Sequence, residues 1–239
     1  MKSLRKESFK ALVGSHNYNL AVPESDKDFK VFFIPSYDDL YSGEKYSKAM
    51  TSDKEDIEYH DIRKLPDMLW KSNVNFLEVL FSQEVYEYDN LYRILHNRRE
   101  EIARMNLPYL YDACVGMFFK KKKEFERVYK SNNLNKSCKH VMSAVRIVDF
   151  LKRYVSNKWD FQKAMFYSAN EFTREKLLNI RRGKYQSKDE LQALISESEL
   201  LLKKMKDVYK EQKEDYDIKE WVYETVKEHV KSHLIEELG

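Results

Sequence analysis

Residues 11 to 34 constrain the fold more than any other stretch. Ala11, Leu12 and Val13 form a short apolar, β-permissive run that stops at a glycine. Gly14 allows a tight turn and a close backbone approach, and Ser15 behind it is suited either to cap a helix or to donate to a phosphate. A second strand is expected from about residue 26 to 34. Its period of two places Asp26, Asp28 and Lys30 on one face and Phe29, Val31 and Phe33 on the other. Two carboxylates at successive same-side positions suit a hard cation such as Mg²⁺, which would relieve their mutual repulsion.

The rest of the chain divides by proline. All four prolines, Pro23, Pro35, Pro66 and Pro108, lie in the first 108 residues. A mixed α/β first half and a helical second half follow, with a boundary near Asn106-Leu107-Pro108. We therefore expect an α+β protein with a head over residues 1–105 and an all-helical domain over residues 106–239. Residues 35 to 55 are polar and contain Gly43, which suggests a loop or irregular hairpin. Asp56-Ile57-Glu58-Tyr59-His60-Asp61 is strand-like, with Asp56 and Glu58 on one face. Pro66 suits the first turn of a helix, and Val85 to Tyr88 suit one more short strand.

Composition limits the function classes. With 42% hydrophobic and 14% aromatic residues the chain is not disordered, and 43 basic against 40 acidic residues leave no dominant field for nucleic acid or membrane. Cys114 and Cys138 have no metal-ligand spacing and are expected as reduced thiols in a cytoplasmic protein. No stretch approaches the roughly 20 apolar residues of a membrane span, and no apolar region follows the basic N-terminus. Phosphate-binding P-loops, dinucleotide fingerprints, zinc-protease motifs and nucleophile elbows are absent from the sequence.

In the helical half, a helix over about residues 137 to 154 carries Val141, Ala144, Val145, Val148 and Leu151 on one arc and Lys139, Arg146 and Arg153 on the opposite side. The lysines at 120 to 123 suit a solvated face. A long amphipathic helix is expected through Leu191 to Tyr209, and a last helix carries Trp221, Val222, Val226, Val230 and Leu234. On it His229 and His233 stand at i and i+4, a zinc-compatible spacing without an evident third ligand. His16 is a candidate substrate contact; His60 and His96 are expected to be structural.

Gly14-Ser15 followed by Asp26-x-Asp28 resembles the signature of the DNA polymerase beta-like nucleotidyltransferase superfamily. The fuller run Gly14-Ser15-x-x-Tyr18-x-Leu20, then Ser25-Asp26-x-Asp28-x-Lys30, resembles its small bacterial and phage branch, which includes an RNA-ligase-associated group. Asp61 to Leu65, Asn73 to Phe81, Lys139 to Arg146 and Leu177 to Gly183 carry the resemblance through most of the chain.

The resemblance implies a polymerase-beta-like head and a metal-dependent transfer of a nucleoside monophosphate from a nucleoside triphosphate, with release of pyrophosphate. It implies Mg²⁺ or Mn²⁺ on Asp26 and Asp28 and on a third carboxylate, either Asp56 or Glu58. Gly14 and Ser15 would hold phosphates, and Lys139 and Arg146 would neutralise the departing charge. The acceptor stays open among an RNA end, a protein and a small molecule. The alternative is a non-catalytic nucleotide- or RNA-binding module, such as an antitoxin-like partner protein.

Overall fold

The computed structural model describes residues 5–52, 54–131, 133–185 and 187–238. In chain order it begins with β1 (Lys6–Val13), α1 (Gly14–Asn17), β2 (Lys27–Ile34) and α2 (Tyr37–Tyr41). Then come β3 (Ser47–Thr51), β4 (Glu55–Asp61), a 3-10 turn (Ile62–Lys64), α3 (Leu65–Trp70), α4 (Val74–Leu77) and a second 3-10 turn (Glu78–Phe81). β5 (Val85–Tyr86), α5 (Asn90–Asn97) and α6 (Arg99–Arg104) complete the mixed region. The helices that follow are α7 (Leu107–Tyr129), α8 (Leu134–Ser156), α9 (Phe161–Met165), α10 (Phe172–Arg181), α11 (Lys188–Lys204), α12 (Lys206–Lys210) and α13 (Tyr216–Leu238).

Two compact units result, one of residues 1–106 with 214–239 and one of residues 107–213. The pattern of the sequence puts residues 106–239 in one helical domain, yet the last helix belongs with the first unit. An amphipathic pattern shows that a helix has a face to bury, but not which partner buries it. Val222, Val226 and Val230 of α13 are buried, and Tyr216 lies against Trp70 of α3 with ring centroids 5.1 Å apart.

In the first unit the five strands form one mixed sheet in the order β3-β4-β2-β1-β5. β1 is antiparallel to β2 and β5, β2 is parallel to β4, and β3 is antiparallel to β4. Phe9 and Phe32 stack at 4.8 Å and are fully buried, and Tyr92 of α5 packs beside Phe9. Burying each such side chain contributes about 1.5–3 kcal/mol. β1 begins at Lys6, earlier than the apolar run at 11 to 13 suggested, because its first three residues, Lys6, Glu7 and Ser8, are polar and give no apolar signal. The polar stretch 35 to 55 contains α2, held by a capping box between Ser36 and Asp39, and edge strand β3, exposed at all five positions. A fully exposed strand has no hydrophobic alternation to reveal it.

The second unit is helical. α8 supplies its centre, with Val141, Ala144, Val148, Leu151 and Tyr154 buried. Two buried hydroxyls find backbone partners: Tyr209 donates to Leu151 O at 2.8 Å and Tyr111 to Leu202 O at 3.0 Å. The expected long helix through residues 191 to 209 is divided at Met205 into α11 and α12. Both cysteines are buried free thiols, and burial pushes the Cys114 thiol up to about 12. No helix among the described residues is long and apolar enough to cross a membrane.

Candidate active site

The turn between β1 and α1 is built around Gly14. Its φ of +73° lies in the left-handed region, and a Cβ at this position would stand 2.5 Å from Asp28 Oδ2. Only glycine satisfies both the backbone and the space. The Gly14 amide donates to Glu78 Oε2 at 2.9 Å, and Tyr18 Oη donates to Glu78 Oε1 at 2.6 Å. Asn17 Nδ2 lies 3.4 Å from Glu78 Oε2, while Asn17 Oδ1 accepts from the Gln83 amide at 2.9 Å. Glu78 is 1% exposed, so this carboxylate ties the Gly-Ser turn to the core. Its sequence signal was a lone acid inside the apolar run Phe76 to Phe81.

The Gly14 amide is engaged by Glu78, and the missing Cβ admits the Asp28 carboxylate. The N-cap of α1 is Val13, without a side-chain cap, so the capping expectation for Ser15 is corrected. His16 Nε2 lies 3.1 Å from Ser25 O. That contact joins the turn to the approach of β2 and gives the ring a structural task.

β2 and β4 run side by side, and their register decides which carboxylates meet. Asp28 is opposite Asp56, and two residues on Lys30 is opposite Glu58. Directly paired residues on parallel strands about 4.8 Å apart project to the same face. Asp28 and Asp56 therefore form a rung of like charge. Asp26 lies one residue before the strand and is exposed.

The next rung is neutral overall. Lys30 Nζ is ion-paired to Glu58 Oε2 and sits 4.7 Å from the centroid of the Phe76 ring. His60 Nε2 lies 3.4 Å from the same Glu58 oxygen. The His60 hydrogen bond, aided by Lys30 and opposed by partial desolvation, holds the Glu58 carboxyl down to about 2. Glu58 is thus an anion with its partners already in place. Among the described residues Asp56 has no side-chain hydrogen bond or ion pair.

In the helical unit, Lys139 is exposed whereas Arg146 is buried, with 8% exposure. Arg146 is close enough to Cys114 and Tyr167 to influence both electrostatically. Arg153 donates to Ala164 O, Lys163 O and Phe166 O and pairs with Glu171, so it closes the end of α9. The three cations expected on one polar side thus have three different environments. α8 is buried on more than the predicted arc because α7, α9, α10 and α11 surround it.

Among the described residues, the three-residue group whose candidate metal-ligand atoms converge to within 4.8 Å is Asp89, His229 and His233. Asp28 and Asp56 pair at the start of the β2–β4 ladder and Asp26 lies one residue before β2, without such convergence.

A family model described as "RNA repair pathway DNA polymerase beta family" matches residues 6–223. No curated protein matches. Among solved structures, a nucleotidyltransferase-like protein from Exiguobacterium sibiricum is similar at 10% identity with a TM-score of 0.35, over 84% of this chain and 70% of that one.

Proposed function

The chain belongs to the RNA repair pathway DNA polymerase beta family, and from that premise we propose that it transfers a nucleoside monophosphate from a nucleoside triphosphate to an RNA end. The observation that carries this reading is the like-charged rung of Asp28 and Asp56, set against a turn in which Gly14 leaves room for the Asp28 carboxylate. A cation would relieve the repulsion between adjacent carboxylates, and an all-oxygen donor set suits Mg²⁺ or Mn²⁺. Asp26 and Asp28 would hold the ion with Asp56 as the third carboxylate, and Glu58 is left to its pairing with Lys30 and His60. A divalent ion bound there would neutralise the triphosphate and stabilise charge on the attacking and leaving oxygens.

The protein's own groups account for the remainder. Ser15 would donate its hydroxyl to a phosphate oxygen. The acceptor hydroxyl attacks the α-phosphorus in line with the bond to pyrophosphate, and its proton passes to an Asp56 oxygen. The new phosphoester forms as the α–β phosphoanhydride breaks, and pyrophosphate leaves. The family description favours RNA as the acceptor class.

The test is incubation of the protein with each α-³²P-labelled nucleoside triphosphate, Mg²⁺ or Mn²⁺, and RNA with defined ends. Transfer of label to RNA by the wild type, lost in the Asp26→Asn/Asp28→Asn variant, is the expected result. Equal labelling by both proteins would sink the assignment.

A further inference from the structure

Asp89, His229 and His233 come from distant parts of the sequence and meet in the first unit. Asp89 caps the N-terminus of α5, accepting from the Tyr92 amide at 3.2 Å, and the histidines stand one turn apart on α13. His229 Nε2 is 2.8 Å from Asp89 Oδ2, and the two imidazole rings meet edge to face at 4.8 Å. Ser8 Oγ donates to the same Asp89 oxygen at 2.7 Å, while His233 Nδ1 lies 3.6 Å from a Glu236 oxygen. One detail sets the cluster apart from an ordinary Asp–His pair. His229 Nε2 is buried and, despite its proximity to Asp89, has no hydrogen bond of acceptable geometry.

We propose that these three side chains form a zinc site. In tetrahedral zinc sites, Zn–N distances of about 2.0–2.1 Å and Zn–O distances of about 2.0–2.2 Å put ligand atoms roughly 3.3–3.5 Å apart. The present group, with one pair at 2.8 Å and all within 4.8 Å, brackets that spacing. Two imidazoles and a carboxylate suit Zn²⁺ and disfavour Mg²⁺, which takes oxygen donors. Three protein ligands leave a fourth position for water. Ser8 and Glu236 provide the outer polar partners that orient ligands in such sites.

The site is distinct from the strand carboxylates. Asp89 N donates to Ser8 O near the start of β1, whereas Gly14 follows the end of that strand, roughly 20 Å away at about 3.3 Å per residue. Its effect is structural: the ion joins α13 to the start of α5 and to β1, and binding to the folded state alone raises the stability of that state.

The test uses the full-length chain freed of metal by a chelator and titrated with ZnCl₂ by calorimetry, with Co²⁺ absorption as a readout of coordination. The expected result is one equivalent of zinc, a tetrahedral cobalt spectrum and a rise in thermal midpoint. Asp89→Asn keeps a good N-cap residue, so it and His233→Gln separate ligand loss from unfolding. Each should weaken zinc binding more than about tenfold, since even outer partners contribute 10–100-fold. No zinc bound, or equal affinity in the wild type and a His229→Gln/His233→Gln variant, would overturn the proposal and leave an Asp89–His229 ion pair. Neither readout depends on nucleotidyl transfer.

Discussion

Two neighbouring rungs of the β2–β4 ladder are assembled on opposite electrostatic principles. Lys30 and Glu58 neutralise each other, with His60 and the Phe76 ring around them, whereas Asp28 and Asp56 place charge of one sign on the same face. The first rung is complete within the protein. The second sets two carboxylates opposite each other, and the proposed function puts a cation there. Two strands of one sheet thus provide an internal control for the proposal, in which residues differing by a single pleat form an ion pair in one case and a like-charged pair in the other.

The largest effect expected from breaking this contrast is on transfer. Replacing Asp28 or Asp56 by Asn should lower the rate about 10³-fold, the size of losing a group that stabilises transition-state charge, while circular dichroism stays that of the folded protein. Glu78→Ala comes next and acts on the turn beside the like-charged rung. It leaves the Gly14 amide and the Tyr18 hydroxyl without their shared acceptor, which should cost about 3 kcal/mol in denaturant unfolding. An unchanged unfolding midpoint would show that Glu78 does not hold the turn.

Gly14→Ala tests the same place by adding a single carbon. The left-handed backbone costs an alanine about 1–2 kcal/mol, and the Cβ must displace the Asp28 carboxylate. A displacement of about 1 Å corresponds to roughly 100-fold in rate, so transfer assays should show that loss with the fold retained.

The smallest effect belongs to a second self-neutralised pair, Arg5 and Asp39, bridged at 2.8 and 2.6 Å. The hydrogen bond from Arg5 holds the Asp39 carboxyl below its usual range. Its stabilising contribution is therefore fully present above the unfolded value of about 3.9 and is lost as pH falls through the lower folded value. Acid titration of stability should reveal up to about 1 kcal/mol of this contribution, absent in Asp39→Asn.

Much of the site was legible because it depends on local patterns. A glycine ending an apolar run marks a turn, and alternation along residues 26 to 34 assigns Asp28 and Lys30 to one face. Which of Asp56 and Glu58 stands opposite Asp28 was not legible, because it rests on the register between strands far apart in sequence. The zinc-compatible spacing of His229 and His233 was visible, but Asp89 comes close only when α13 packs with the first unit. β3 escaped notice because an exposed edge strand has no buried face to mark it, and Glu78 read as one more acid because its partners are a backbone amide and a tyrosine elsewhere.

The account is tested most directly by measuring Mg²⁺-dependent transfer of α-³²P label to RNA for the wild type, Asp56→Asn and Glu58→Gln in parallel. If the like-charged rung is the catalytic one, Asp56→Asn falls close to background and Glu58→Gln stays within about threefold of the wild type, the Glu58 side chain being half exposed. Activity surviving in Asp56→Asn but lost in folded Glu58→Gln would contradict the assignment and move the chemistry to the neighbouring rung.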